Sequence, residues 1–130
     1  MDNEAMNVFV IRFLETFRVC GTFLYDYNDK DLEYLLFEKF DDHIIVDFSE
    51  EALNNFVENN IITQELKNLC LELREISISV LANQNYECAA SFVRDSYAWK
   101  HIFKFTDYIK EQIHHIHNDY DLSPITLWAM

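Results

Sequence analysis

One glycine, Gly21, and one proline, Pro124, are all the turn-forming punctuation in a chain of 130 residues. A many-stranded β architecture needs tight turns at short intervals, so this scarcity argues against it. No apolar run approaches the roughly 20 residues that a membrane-spanning helix requires. The N-terminus, Met1-Asp2-Asn3-Glu4, is acidic and lacks the basic region that opens a signal peptide, so a cytoplasmic protein is expected. Cys20, Cys70 and Cys88 are odd in number and widely spaced, which fits reduced thiols rather than a disulfide framework. Positive charge is also short: 10 Lys and Arg face 23 Asp and Glu, a net of −13. That balance disfavours direct binding to nucleic acid or to an anionic membrane, and any partner chosen by charge should be basic.

Hydrophobic residues, by contrast, make up half of the chain, and eleven Phe, seven Tyr and two Trp are more aromatic surface than a disordered segment carries. A core can be built without disulfide or metal. The expected fold is all-α or mainly α, a single-domain bundle of about five to six helices over residues 1–130 with at most one short strand pair. Residues 119–130, with Leu122, Ile125, Leu127 and Trp128 around Ser123-Pro124, read as a docked C-terminal tail.

The helices follow from apolar residues three and four apart. Met6, Phe9, Val10, Phe13, Leu14, Phe17, Cys20 and Leu24 make one stripe, and Val8, Ile11, Val19 and Phe23 widen it, which predicts a central helix over 5–24 contacted on more than one side. Gly21 on that stripe permits close approach or ends the helix. Asn28 or Asp29 caps a second helix that buries Leu32, Leu35, Leu36 and Phe40. Residues 43–48 read either way: three consecutive β-branched side chains favour a strand, whereas Phe40, Ile44 and Phe48 continue a helical stripe, and the preferred reading is a helix or extended connector. Ser49 caps a short third helix, Thr63 a fourth reaching about residue 82, and a last long helix runs from about Asp95 to His117. The residues expected to be most central are Phe13, Phe17, Leu69, Leu73, Trp99, Ile102 and Ile109, with Ile116 on the last stripe.

Charge asymmetry is the strongest positional signal. From Asp26 to Glu58 there are 11 acidic residues and two basic ones, Lys30 and Lys39, a local net of −9. Tyr25, Tyr27 and Tyr34 are interleaved with them, and tyrosine supplies contact area and a hydroxyl at low entropic cost. The candidate partner-binding residues are therefore Tyr25, Asp26, Tyr27, Asp29, Asp31, Glu33, Tyr34, Asp41, Asp42, Asp47, Glu50 and Glu51. The alternative is a solvated face that only keeps the protein soluble.

Other candidate chemistry fails on spacing. A calcium loop starting at Asp26 would need oxygen, glycine and carboxylate where Lys30, Asp31 and Phe37 stand, so a helix cap is preferred. His114, His115 and His117 lack a second pair of ligands and suit the negative end of a helix, so neither metal nor cofactor is assigned. Asp41-Asp42-His43 is too common a triplet to be evidence, and no phosphate loop, nucleophile elbow or zincin helix is present. No catalytic residue is assigned, and a non-enzymatic protein is expected.

Small size, strong acidity, reduced cysteines and the segment Ser91-Phe92-Val93-Arg94-Asp95-Ser96-Tyr97-Ala98-Trp99-Lys100-His101-Ile102 resemble the small helical immunity proteins of bacterial polymorphic and contact-dependent growth inhibition toxin systems. The resemblance implies a cytoplasmic antitoxin that binds and blocks a cognate toxin domain, often a nuclease, and it assigns no functional residue. Nuclease domains are basic because they bind phosphates, so an acidic protein can compete for that surface. Two other readings stand beside it: a phage-encoded nucleic-acid mimic inhibiting a host defence nuclease, and an adaptor or regulatory subunit docking through apolar helix faces.

Overall fold

The computed structural model describes residues 3–125. Met1 and Asp2, and Leu127 and Trp128 of the tail, lie outside the described residues. In chain order the elements are α1 (Asn3–Val19), a 3-10 turn (Thr22–Asp26), α2 (Asp29–Tyr34), a π-helical turn (Leu35–Phe40), α3 (Asp41–Val46), α4 (Glu50–Glu58), α5 (Gln64–Ala82), α6 (Ala89–Asp95) and α7 (Tyr97–Ile116). The run from α2 through the π turn to α3 is unbroken, so the fold has six helices and no strand among the described residues.

Helix starts follow the caps. The side chains of Asn28, Ser49, Thr63 and Ser96 accept hydrogen bonds from the amides of Asp31, Ala52, Leu66 and Trp99, each satisfying a donor the helix itself leaves free. The short helix α6 was not expected. Cys88 before it is left-handed at φ 52° and gives no side-chain cap. The cap comes from another helix, where Glu33 Oε1 accepts the Ala90 amide at 3.0 Å.

With glycine so scarce, other residues serve where the backbone must turn left-handed: Cys88 before α6 and an asparagine after α4. At the end of α4, Asn60 has φ 60°, and the Ile61 and Asn60 amides donate to the carbonyls of Phe56 and Val57. This is a Schellman stop built on Asn. Gly21 is needed for a different reason. A Cβ there would overlap Asp107 Oδ1 of α7, whose other oxygen accepts from the Thr22 amide at 3.3 Å and the Thr22 hydroxyl at 2.6 Å.

Residues 43–48 settle as helix to Val46 and then a turn. Phe40, Ile44 and Phe48 are all buried, so burial of the stripe overrides the β preference of Ile44-Ile45-Val46. Arg74 from α5 ties down the end of α3, donating to the carbonyls of Ile44 and Ile45 at 3.2 and 3.4 Å. The π turn carries the Asp41 amide to the Leu36 carbonyl, five residues back, and buries Leu35, Leu36 and Phe40 together.

The largest helix interface is between α5 and α7, which corrects the expectation of a central α1. Helix α1 ends at Val19 and covers one flank of the π turn, α3 and α7. Its widened stripe is covered only in part: Val8 and Ile11 are 55% and 57% exposed, whereas Val19 is buried and Phe23 is half-buried against the core. Ile116 is also exposed, because it lies in the last turn of α7, and Leu69 is half-buried. The other central positions expected from the sequence are fully buried.

Two aromatic clusters fill the interior. Phe13 packs against Phe17, Phe48 and Phe56 with ring centroids 5.6, 5.0 and 5.1 Å apart, linking α1 to the α3–α4 junction. Trp99 packs against Phe37, Phe40 and Phe103 and donates its indole N–H to Gln84 Oε1 at 3.0 Å, which holds the loop between α5 and α6 over the core. Cys20 and Cys70 are buried core residues, and burial pushes both thiols up, away from the reactive thiolate.

Because Phe13 touches three other rings, Phe13→Ala should cost about 3–5 kcal/mol and lower the urea midpoint sharply. An unchanged midpoint would refute the packing described for α1.

Candidate functional site

The acidic residues divide into those that hold the fold and those that face water. Asp47 belongs wholly to the first group and is buried. The Arg12 guanidinium donates to its two oxygens at 3.1 and 3.3 Å, and the His43 Nδ1–H donates to Oδ2 at 2.7 Å. Its assignment as a partner-binding residue is therefore corrected: i, i+4 spacing on α3 and the approach of α1 draw it inward. Asp42 meets Arg12 at 3.3 Å, and Asp29 meets Arg94 at 3.0 Å, both from exposed positions. Glu33 is occupied as the remote cap of α6.

The three tyrosines also hold the fold. Tyr25 is half-buried and packs edge-on against Phe103, and Tyr27 donates its hydroxyl to the Ile125 carbonyl at 2.8 Å. Burial raises both phenols above their usual range. Tyr34 is half-buried beneath the Lys39 ammonium. Tyr27 thus anchors the tail, which docks as far as Ile125: the Ile125 amide donates to the Arg18 carbonyl at 2.9 Å, and Arg18 Nε donates to the Ser123 carbonyl at 3.0 Å.

What remains facing water is Asp26, Glu38, Glu50, Glu51 and Glu58, all exposed, with Asp31 and Asp41 half-buried. None of these makes an ion pair among the described residues. They run from the 3-10 turn along α2 and α3 onto α4. Asp41 bears the crowding most directly, since burial and the neighbouring Asp42 charge raise its carboxyl above the usual range.

An apolar groove opens at one end of this surface. Met6 and Phe9 of α1, Val46 of α3, and Ala52 and Phe56 of α4 line a space of about 230 Å³. Asp47, Ser49, Glu51 and Asn55 complete the lining, so no basic side chain contributes to it. Phe9 and Val46 are 43% and 51% exposed. Sequence reasoning placed Phe9 on the buried stripe and missed this groove. Apolar spacing marks a face and is silent on whether another helix reaches it.

The histidines at the end of α7 are used singly. His117 Nε2–H donates to the Ile61 carbonyl at 2.7 Å and its ring packs against Tyr120, while His114 and His115 are exposed. Among the described residues no group of three His, Cys, Asp or Glu could hold a metal ion, and no helix is long and apolar enough to cross a membrane.

No family model, no curated protein and no solved structure matches the chain.

Asp41 and Asp47 should pull stability in opposite directions. Burial alone would raise the Asp47 carboxyl, but the hydrogen bonds and charge of His43 and Arg12 outweigh it and hold it below the usual range. Its stabilising contribution is complete above the unfolded value of about 3.9 and is lost as pH falls through the lower folded one. Asp41, raised, opposes folding while ionised. In urea titrations across pH, Asp47→Asn should be less stable than the parent at neutral pH and lose less on acidification. Asp41→Asn should be slightly more stable at neutral pH, an advantage that fades as the pH falls through the raised folded value and is gone below the unfolded one of about 3.9. Parallel pH profiles for all three proteins would contradict both assignments.

Proposed function

We propose that this chain is a non-enzymatic binding protein of the bacterial cytoplasm, an immunity protein that neutralises a basic, nuclease-type toxin domain through the acidic surface of α2, α3 and α4. The observation that carries the reading is the set of exposed carboxylates without ion pairs among the described residues, including Asp26, Glu38, Glu50, Glu51 and Glu58. Asp41, raised first by burial and then by the Asp42 charge, works against folding while ionised, and a docking basic partner would favour its ionised form. The partner is a protein; neither nucleic acid nor membrane is bound directly, and no cofactor takes part.

A surface of one sign steers an oppositely charged partner into encounter over a distance set by ionic strength, about 8 Å at physiological salt. A toxin must be captured before it reaches its substrate, so rapid association is the property that immunity needs. The likeness of residues 91–102 to immunity proteins agrees with this reading. A phage-encoded nucleic-acid mimic would use the same carboxylates, but would act on several nucleic-acid-binding targets. An adaptor would dock by apolar faces and hold on at high salt.

Immunity predicts that the neighbouring gene encodes a secreted toxin domain, and that co-expression of this chain keeps cells alive. Reversing Asp26, Glu38, Glu51 and Glu58 to Lys together spares every ion pair of the fold. The variant should keep its thermal transition, associate with the toxin domain at least about ten-fold more slowly at low salt, and fail to protect. A folded variant that associates and protects like the parent would overturn the acidic-surface reading.

A further inference from the structure

We propose that the groove between α1, α3 and α4 is an anchor site for one large apolar side chain, carried on a lysine- or arginine-rich segment of the partner protein. The inference rests on the acidic-surface reading for the sign of the partner's charge, and it adds the place where binding is anchored.

The groove has the chemistry of such a site. Its floor is apolar, with Met6 and Phe56 buried behind it and Phe9 and Val46 open to water at its lip. An engineered cavity of about 150 Å³ accepts a benzene ring. The space of about 230 Å³ here is therefore enough for a Phe, Leu or Met side chain. An interface gains most of its energy where such an anchor fills a pocket and is shielded by polar neighbours.

The rim selects the charge of what surrounds the anchor. Glu51 lines the groove, Glu50 stands beside it, and Glu58 lies seven residues further along α4, two turns away on the same helix face. All three are exposed and without ion pairs among the described residues. The one other carboxylate of the lining, Asp47, is already paired with Arg12 and hydrogen-bonded to His43. A neutral apolar segment would leave the three glutamates uncompensated. A second copy of this chain meeting the first through the same face would bring glutamate against glutamate, at a cost that opposes a symmetric dimer. A basic segment satisfies both the floor and the rim.

Three synthetic peptides test the proposal on the intact chain: a lysine-rich peptide with one central Phe, the same peptide with Ala for Phe, and the Phe peptide with Gln for every Lys. Binding is followed by amide shifts in two-dimensional NMR titrations. The Phe–Lys peptide should move the Val46 and Ala52 amides and bind at least about ten-fold more tightly than the Ala control, as expected for burial of one Phe side chain, and about ten-fold more tightly than the Gln control at low salt, from its charge. Ala52→Phe, which fills the groove, should erase the preference for Phe over Ala while leaving salt-sensitive lysine binding in place; its thermal transition reports that it folds. Equal binding of the Phe and Ala peptides, both weakening with salt, overturns the groove and leaves the acidic surface standing. Binding of the Gln peptide as tight as that of the Lys peptide overturns the charge selection, and with it the acidic-surface reading. A dimer in sedimentation equilibrium that Ala52→Phe dissociates would give the groove to a second copy and also overturn the proposal.

Discussion

Four arginines hold together a chain whose net charge drives it apart. Arg12 joins α1 to Asp42 and Asp47 around α3, and Arg18 binds the tail at Ser123. Arg74 closes the end of α3 from α5, and Arg94 clamps the 3-10 turn and the start of α2 through Asp29 and the carbonyls of Tyr25 and Tyr27. These are all the arginines in the sequence, and each reaches an element distant in the chain. A planar guanidinium with several fixed donors can satisfy carboxylates and backbone carbonyls at once, which the point charge of a lysine cannot. Charge is thus spent on helix junctions, where a net of −13 would otherwise be most disruptive.

The same allocation shapes the outer surface. Once Arg12 and Arg94 have taken Asp29, Asp42 and Asp47, the exposed acidic residues of the 3-10 turn, the π turn and α4 make no ion pair among the described residues, even though Lys30 and Lys39 lie in the same stretch of chain. They are held at fixed spacing by helices whose inner faces are locked into the core. Fixed charge of one sign is a better recognition surface than the same charge on a mobile loop, since little ordering entropy is lost on binding. The role proposed for this surface needs no active-site chemistry, only shape, sign and rigidity.

The groove beside it comes from the breadth of the apolar surface on α1. The helix is apolar around more of its circumference than the core covers: Met6, Val10, Phe13, Leu14 and Phe17 are buried, while Val8, Phe9 and Ile11 are exposed. Met6 and Phe56 are buried behind the groove, and Phe9 and Val46 form its open lip. An apolar opening bordered by carboxylates is an amphipathic surface, and the inferred anchor draws on both of its parts.

Local signals were legible wherever one residue type has one physical use. Asn28, Ser49 and Thr63 announced helix starts because a short side-chain oxygen satisfies first-turn amides. Three-and-four spacing announced Phe13, Phe17, Leu73, Trp99, Ile102 and Ile109 as core because a helix buries one face. Scarce glycine and proline announced an all-α fold. Tertiary structure alone decided the rest. It turned Asp47 inward, made Tyr25 and Tyr27 into supports, raised α6 on a carboxylate from α2, and left Phe9 uncovered. A carboxylate or an aromatic ring reads the same in sequence whether it meets water or an arginine, because burial depends on which distant segment arrives, and that is a property of the packed chain.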